Sequence, residues 1–358
     1  MEEMNVKPFS QEIKPADVEQ LINFNPLGVS DVYKSMQSMH KIQIGGVAGI
    51  WNILARQGFA YLADEVGMGK TYQTLGLITL LWNFKPDAKV VVVCPRINLQ
   101  NKWQRDYHNF VMNNYRGHLR NQGDDRVKSV LLNTPVVSPC ICPNLRSFAK
   151  EIQSSERQLY ILRHTSFTRP VFINEKDLKY PLDTWDCEVK EMQRCGIHPE
   201  KKDKRTIENL EDEDISWQFN EWFAQAFNKM LKDHEYNGEK VIDLLIIDEA
   251  QCLRNENQTN NVLYNLFKDR VDKWLFVSAT PIHSGRENIK RIINDFAKPG
   301  YIKDGDIENI ERLREKMKTF TIRRPREYYV ETSKDQKLWP KQRYRAHKLD
   351  ESRIRDML

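Results

Sequence analysis

Short apolar runs alternate with amphipathic stretches through most of the chain. The runs are rich in Val, Ile, Leu and aromatic residues and show little polar alternation, which is typical of strands buried on both faces. Several of the stretches between them carry apolar residues every three or four positions, the spacing of a helix with one buried face. Because parallel strands need a crossover connection, usually a helix, this alternation predicts an α/β fold with a central, mostly parallel sheet flanked by helices.

The individual elements follow from the same pattern. We expect strands at residues 59–63, 90–94, 130–132, 159–162, 244–248 and 274–278, and a short strand near 320–324. We expect helices at residues 70–83, 97–112, 259–268 and 285–297. Residues 1–40 are expected to form an N-terminal extension, in which a helix starts in PADVEQLINF and stops at NPLG.

One connection is too long for a simple loop, since it runs from Thr168 to Lys240. It holds a charged run at 200–214 and an amphipathic stretch at 215–231. The apolar residues of that stretch recur at helical spacing, at Trp217, Phe219, Trp222, Phe223, Ala226, Phe227, Met230 and Leu231. We therefore expect a helical insertion at about 168–240. Its apolar stripe either packs against the rest of the domain, the interpretation we favour, or binds a protein partner.

Candidate chemistry begins at LADEVGMGKT, residues 62–71. Two glycines let the backbone curl so that its N–H groups point at phosphate oxygens, and the start of the following helix favours the same anion. Lys70 is expected to reach the β- and γ-phosphates of a nucleotide, and the Thr71 hydroxyl to bind Mg2+. The general template would place glycine where this chain has Asp64. The expected nucleotide-binding residues of the loop are Glu65, Val66, Gly67, Met68, Gly69, Lys70 and Thr71.

Two later strings add an acidic pair and a hydroxyl-bearing turn. LLIIDEAQ (244–251) is an apolar run that ends in adjacent carboxylates, as expected of a buried strand presenting them at its carboxyl end. Asp248 is predicted to hold Mg2+, directly or through water, while Glu249 orients and deprotonates an attacking water. FVSATP follows at 276–281. With Lys70, these two carboxylates are the predicted catalytic residues.

Together the three strings resemble the first motor lobe of superfamily 2 helicases and, within them, the Swi/Snf-type ATPases. The greatest likeness is to bacterial members that associate with RNA polymerase, whose phosphate loop also reads ADEVG-x-GKT. The resemblance covers about residues 41–340. It implies a RecA-like P-loop NTPase lobe at 41–330 that contains the insertion, followed by a basic connector at 331–358 toward a second lobe.

The resemblance also implies roles for residues outside the phosphate loop. Gln43 lies where the family's adenine-reading glutamine falls, and DEAQ is an accepted form of the family's acidic motif. The residues implied to couple the ATP state to movement between lobes are Gln251, Ser278, Ala279 and Thr280. Residues 90–103, 159–167 and 321–325 resemble two DNA-contacting motifs and a basic strand. The DNA contacts that they imply are Pro95, Arg96, Thr165, Ser166, Arg323 and Arg324.

The implied function is a DNA-dependent ATPase that uses ATP and Mg2+, translocates on double-stranded DNA and remodels protein–DNA complexes. Bacterial motors of this type also occur in anti-phage defence. Family members complete the ATP site with arginines from a second RecA-like lobe, and such an arginine is worth about 10^3–10^5 in rate. We therefore expect this chain to need that lobe, in cis or in trans, and to turn over ATP poorly alone.

Two other functions fit part of the pattern. One is a non-hydrolysing, ATP-dependent interaction module that recruits a partner through the insertion, although binding alone would not need the general base Glu249. The other is a signalling P-loop ATPase of another class, which leaves the SATP and VVVVCP strings unexplained.

Composition and charge narrow the setting. The chain has 358 residues, is 40% hydrophobic and carries a net charge of only +5. It has no apolar run of about 18 residues and no secretory leader at its start, so we expect a cytoplasmic protein without a membrane span. Between Arg312 and Arg355 there are 15 Lys and Arg against 6 Asp and Glu. This basic tract suits contact with DNA phosphates or, alternatively, a solvated helix face and linker.

A zinc site is the remaining candidate for chemistry. Cys140, Cys142, Cys187 and Cys195 lie near two histidines, His164 and His198, but lack the paired C-x2-C spacing of zinc sites. We expect reduced thiols and no zinc, with Cys94 and Cys252 as small buried residues.

Overall fold

The computed structural model describes residues 8–26, 34–116, 138–153, 158–167, 189–198, 212–279, 285–324, 329–332 and 335–338. The strand predicted at 130–132 lies outside these ranges. Within them, no helix combines the length and the apolar character needed to cross a membrane.

A seven-stranded sheet with parallel pairing throughout forms the centre of the described structure. The strands are β1 Phe59–Leu62, β2 Val90–Cys94, β3 Cys140–Ile141, β4 Leu159–Arg163, β5 Ile242–Asp248, β6 Val271–Val277 and β7 Thr321–Ile322. Their order across the sheet is β3-β4-β2-β5-β6-β1-β7. This confirms the predicted α/β fold, and β3 is the strand that the apolar pattern missed because two residues carry no periodicity.

Helices flank the sheet and leave its central strands inaccessible to water. The α-helices are α1 Pro15–Leu21, α2 Lys34–Gln57, α3 Lys70–Phe84, α4 Ile97–Asn113, α5 Leu145–Ile152, α6 Asp212–Asp233, α7 Gln258–Phe267, α8 Arg286–Arg291, α9 Asp304–Glu308 and α10 Ile310–Lys318. Short 3-10 segments span His164–Phe167 and Ala250–Arg254, and a π-helical turn, Ile292–Ala297, extends α8. Strands β8 Tyr329–Thr332 and β9 Asp335–Leu338 form a separate antiparallel pair.

Helix α2 changes the predicted organisation of the N-terminal part. The boundary expected between residues 40 and 41 falls inside this helix. The segment before α1 packs on it: the Trp51 indole N–H donates to the Gln11 carbonyl at 3.0 Å, and the Asn52 side chain binds the backbone N–H and C=O of Ile13 at 2.8 and 2.9 Å. Phe9 contacts the Trp51 ring with centroids 4.2 Å apart. The described N-terminal residues therefore belong to the same core as the sheet.

The insertion contributes α6, which is longer than the predicted 215–231 stretch. Phe223, Phe227 and Leu231 are fully buried. Asn228 fixes α6 to α7, because its side-chain amide donates to the carbonyls of Leu266 at 3.0 Å and Lys268 at 2.8 Å. In residues 222–231 the apolar stripe thus packs against the domain, which is the interpretation favoured above.

We predict that Phe227→Ala destabilises the whole domain. The side chain is 0% exposed and touches Phe148 with ring centroids 5.7 Å apart, and such a truncation costs about 3–5 kcal/mol through lost burial and a cavity. Urea unfolding of the full chain measures the change. Tyr236→Ala is the control, since that ring is 78% exposed. Equal midpoints for the two variants would contradict the docking of α6.

Candidate functional site

The phosphate loop connects β1 to α3 and depends on two glycines with left-handed backbone. Gly67 has φ of 85° and Gly69 has φ of 73°, values that residues with a side chain rarely adopt. A Cβ at Gly69 would also come within 2.2 Å of the Gln43 amide nitrogen. Helix α3 begins at Lys70, immediately after the turn. The loop therefore places the N-terminus of a 15-residue helix at the edge of the sheet, a ready site for an anion.

Lys70 lies over this loop. Its ammonium donates to the carbonyls of Asp64 at 2.7 Å and Glu65 at 3.2 Å. Burial lowers the pKa of Lys70, whereas the nearby carboxylates, Glu249 first among them, raise it. A half-buried ammonium beside carboxylates is suited to binding a phosphate that carries several negative charges.

The acidic pair lies at the carboxyl end of β5, where Asp248 is the last residue of the strand and Glu249 follows it. The phosphate loop lies at the same edge of the sheet. The Asp248 carboxylate accepts the Trp103 indole N–H at 2.8 Å and the Glu249 backbone N–H at 3.0 Å. Burial raises the pKa of Asp248, and the hydrogen bond from Trp103 lowers it. Glu249 has φ of 53° and ψ of 54°, a left-handed conformation that is rare outside glycine and concentrates at functional sites.

A chain of hydrogen bonds connects Glu249 to the end of β6. The Gln251 amide donates to the Glu249 carboxylate at 2.7 Å, and the Ser278 hydroxyl donates to the Gln251 amide oxygen at 2.5 Å. Two of the residues predicted to couple nucleotide state to movement, Gln251 and Ser278, therefore contact one another, and Gln251 also contacts the predicted base. Ala279 follows directly, and Thr280 lies outside the described residues.

Gln43 lies against the phosphate loop from α2. Its amide donates to the Met68 carbonyl at 3.5 Å. Met68 is buried, whereas Val66 is 64% exposed at the tip of the loop. The structure thus brings the predicted adenine-reading glutamine and the phosphate loop together, although α2 itself was not predicted from the sequence.

These residues fit a magnesium nucleotide. The left-handed glycines allow close backbone approach, and Lys70 supplies a cation for the phosphates. Thr71, in the first turn of α3, and Asp248 offer the oxygen ligands that Mg2+ prefers. The metal would neutralise charge on the phosphate oxygens. Thr71 and Asp248 are the residues that would hold it.

Arg324, predicted to contact DNA, is engaged elsewhere. Its guanidinium binds the carboxylate of Asp64, with Nε 3.0 Å from Oδ1 and Nη2 2.5 Å from Oδ2. Asp64 is the residue that departs from the phosphate-loop template, and it is fully buried. An aspartate in place of the template glycine was the signal in the sequence that a cation lies beside the loop. The sequence pattern did not show which basic residue would pair with Asp64.

The other predicted DNA contacts divide by exposure. Arg96 after β2 and Thr165 after β4 are exposed, and these strands are neighbours, so the two residues lie at the same edge of the sheet. Arg323 is also exposed, and Pro95 is half-buried. Ser166 points inward instead: it is 7% exposed and its hydroxyl donates to the Pro143 carbonyl at 3.3 Å.

The cysteines form no metal cluster in the described part of the chain, where no three metal-ligating side chains converge. The sulfurs of Cys140 and Cys142 are 3.8 Å apart, and Cys187 lies outside the described residues. Burial raises the pKa of Cys94 and of Cys252 to about 12, so both remain thiols at neutral pH. Cys94 is buried, as predicted, whereas Cys252 is only partly buried.

Comparison with known proteins supplies the family. The SNF2-related domain model matches residues 43–347. The chain belongs to the SNF2-related domain family. It is therefore a Swi/Snf-type superfamily 2 ATPase motor domain, and its sheet is the RecA-like sheet of such ATPases.

Individual relatives of this SNF2-related domain are distant. It is 29% identical over 98 residues to human chromodomain-helicase-DNA-binding protein 8, a match covering 27% of this chain and 4% of that protein. It is similar to the Sulfolobus solfataricus SWI2/SNF2 ATPase core in complex with double-stranded DNA, with TM-score 0.43 and 15% identity, over 88% of this chain and 46% of the other. The chain thus spans less than half the length of either relative.

We predict that Trp103→Phe weakens Mg2+ binding while leaving the fold intact. The ring is retained, but Asp248 loses a donor, and a hydrogen bond to a charged group is worth about tenfold or more in affinity. The Mg2+ dependence of nucleotide binding measures the effect. Trp82→Phe is the matched control, because that buried indole donates to the Ala88 carbonyl at 2.9 Å. Identical Mg2+ dependence in the two variants would contradict the role of Trp103.

Proposed function

We propose that this SNF2-related domain is the first lobe of a motor that hydrolyses ATP on double-stranded DNA. One observation carries the proposal: the Glu249 carboxylate is held by Gln251, which is held in turn by Ser278. A site that only bound nucleotide would need neither a base nor a connection from that base to the end of β6.

The residues divide the work of phosphoryl transfer to water. Lys70 and the phosphate-loop N–H groups bind and orient the phosphates, and the reaction asks the protein mainly for such positioning and charge neutralisation. Glu249 accepts a proton from the attacking water as the bond from the water oxygen to the γ-phosphorus forms. The bond from that phosphorus to the β–γ bridging oxygen breaks, and ADP leaves. Asp248, whose carboxylate accepts the Trp103 indole N–H, would hold the Mg2+ ion. Gln251 fixes the carboxylate of Glu249 in the orientation that this step needs.

A second RecA-like lobe, in cis or in trans, completes the proposed site. Arginines from such a lobe would contact the γ-phosphate, and each is worth about 10^3–10^5 in rate in related enzymes. Arg324 cannot contact the γ-phosphate from its present position, since its guanidinium is bound to Asp64. We therefore expect the chain by itself to bind ATP and to hydrolyse it slowly.

Double-stranded DNA is the proposed track. Arg96 and Thr165 are exposed at one edge of the sheet, in segments that resemble the family's DNA-contacting motifs. A motor that moves along DNA displaces the proteins bound ahead of it, so remodelling of protein–DNA complexes, including in bacterial anti-phage defence, is the proposed use. The non-hydrolysing alternative is weaker, because the apolar stripe of α6 that was to recruit a partner is buried in residues 222–231.

We predict that the wild-type chain binds ATP and turns it over slowly, and that Glu249→Gln removes this turnover without loss of binding. Lys70→Ala should abolish binding, since the β- and γ-phosphates lose their cation. Turnover with and without double-stranded DNA, beside equilibrium binding of a fluorescent ATP analogue, provides the test. Glu308→Gln, at an exposed position on α9, is the control.

Each result has a distinct meaning. Retained turnover in Glu249→Gln would contradict the assignment of the base. Binding without turnover in the wild-type chain would mean that the partner lobe has to be added before the base can be tested. DNA-stimulated turnover by the chain alone would show that the site is completed without a covalent second lobe.

We predict that Arg96→Gln weakens binding to DNA of any sequence. Loss of one phosphate contact should lower the slope of log affinity against log salt by about one. Fluorescence anisotropy with two unrelated duplexes across a salt series measures it. Arg56→Gln is the matched control, because that arginine is exposed at the end of α2 and pairs with Glu12. An unchanged slope in Arg96→Gln would contradict the contact.

A further inference from the structure

The underside of the phosphate loop holds a carboxylate that the hydrolysis mechanism does not use. Asp64 is 0% exposed, yet it has no shortage of donors. Its oxygens accept the Arg324 backbone N–H at 3.0 Å, the two guanidinium N–H groups described above, and the Gln73 amide at 3.1 Å. The Asp64 carboxylate is fully paired, because it accepts from one guanidinium and from two neutral donors. Removing the guanidinium would leave an uncompensated negative charge in the interior.

The same guanidinium reaches two further helices. It donates to the Gln73 side-chain oxygen at 2.7 Å, in α3, and to the backbone carbonyl of Ile42, in α2. Gln73 in turn donates to the Met68 carbonyl of the phosphate loop at 3.0 Å. One arginine thus joins the loop, the helix that follows it and the helix that carries Gln43.

The packing around this contact is tight on the α2 side. A Cβ at Gly46 would come within 1.9 Å of the Gln73 amide oxygen and 2.5 Å of Arg324 Nη2. The backbone of Arg324 is attached as well, because the Glu65 N–H donates to its carbonyl at 3.3 Å and the Ala63 N–H donates to the Ile322 carbonyl at 2.7 Å. The end of β7 and the start of the phosphate loop are therefore joined by backbone hydrogen bonds as well.

We propose that Arg324 is a positioning residue that sets the phosphate loop and the Gln43 end of α2 in one geometry, so that phosphate binding and adenine selection depend on it jointly. Ile42, which accepts from the guanidinium, directly precedes Gln43. The guanidinium also binds the Asp64 carboxylate, and the backbone carbonyl of Asp64 accepts a hydrogen bond from Lys70. The inference rests on the proposed function in requiring that an adenine nucleotide binds at this loop, and it takes Gln43 as the residue that reads the base.

The role is distinct from a general contribution to stability. A lysine at 324 keeps a positive charge for Asp64, but a single ammonium cannot also reach Gln73 and Ile42 in a fixed fork. Arg324→Lys should therefore keep most of the phosphate affinity and lose adenine selection, whereas Arg324→Gln should lose both. Gly46→Ala displaces the same side chains from the α2 side without changing any charge.

The test is equilibrium binding of fluorescent ATP and GTP analogues to the full chain, with thermal unfolding of each variant recorded in parallel. The wild type should prefer ATP. Arg324→Gln should bind ATP about tenfold more weakly or worse, as for loss of a charged hydrogen bond, and with a ratio of ATP to GTP affinity near one. Arg324→Lys and Gly46→Ala should lower that ratio with a smaller loss of ATP affinity. Arg56→Gln, an exposed arginine of α2, should match the wild type.

Contrary outcomes separate the two proposals. A wild-type chain that binds neither nucleotide would overturn the proposed function, and this inference with it. A wild-type chain that binds ATP, beside folded Arg324→Lys and Gly46→Ala variants with unchanged affinity and unchanged ratio, would overturn the inference alone. If Arg324→Gln fails to fold, these two milder variants decide the matter by the same measurement.

Discussion

The side-by-side parallel arrangement of β5, β6 and β1 is the constraint on which the site depends. Parallel strands end at the same edge of a sheet, so whatever follows them is delivered to one place. The register is level: Asp248 lies opposite Val277, and Val277 lies opposite Leu62. The acidic pair, Ser278 and the phosphate loop therefore come together although they are far apart in the chain. The exposed Arg96 and Thr165 follow β2 and β4 at that same edge.

Buried polar groups beneath this edge account for how the site is held. A carboxylate removed from water is costly unless donors replace the solvent. The fully buried Asp64 and the half-buried Asp248 both have such donors. Asp248 takes an indole N–H from α4, and Asp64 takes the guanidinium that follows β7. Each contact joins the nucleotide site to a segment whose exposed neighbours are predicted to touch DNA, Arg96 in one case and Arg323 in the other. Through these contacts, DNA bound at Arg96 or Arg323, as proposed, would be connected to Asp248 and to the phosphate loop.

The elements outside the sheet also support the site instead of standing apart from it. Helix α2 carries Gln43 to the loop and is anchored by the N-terminal segment through Trp51 and Asn52. Helix α6 of the insertion closes the core against α7, with Phe227 fully buried. The N-terminal residues were predicted to form an extension and α6 to lie in an insertion within the lobe, and the buried apolar residues of both pack into the core of the lobe.

The sequence alone determined the α/β class, the parallel sheet, the phosphate loop and the acidic pair, because these depend on local patterns: buried strands five to seven residues long such as β2 and β5, glycines at the turn, and carboxylates at a strand end. Tertiary structure decided what no local pattern carries. The burial of Ser166, the donation by Trp103 and the pairing of Arg324 with Asp64 across 260 positions are set by which strands lie side by side. The local sequence does not show whether a polar side chain is exposed to water or bonded to a buried partner. The fold determines this, because it sets which residues lie next to one another.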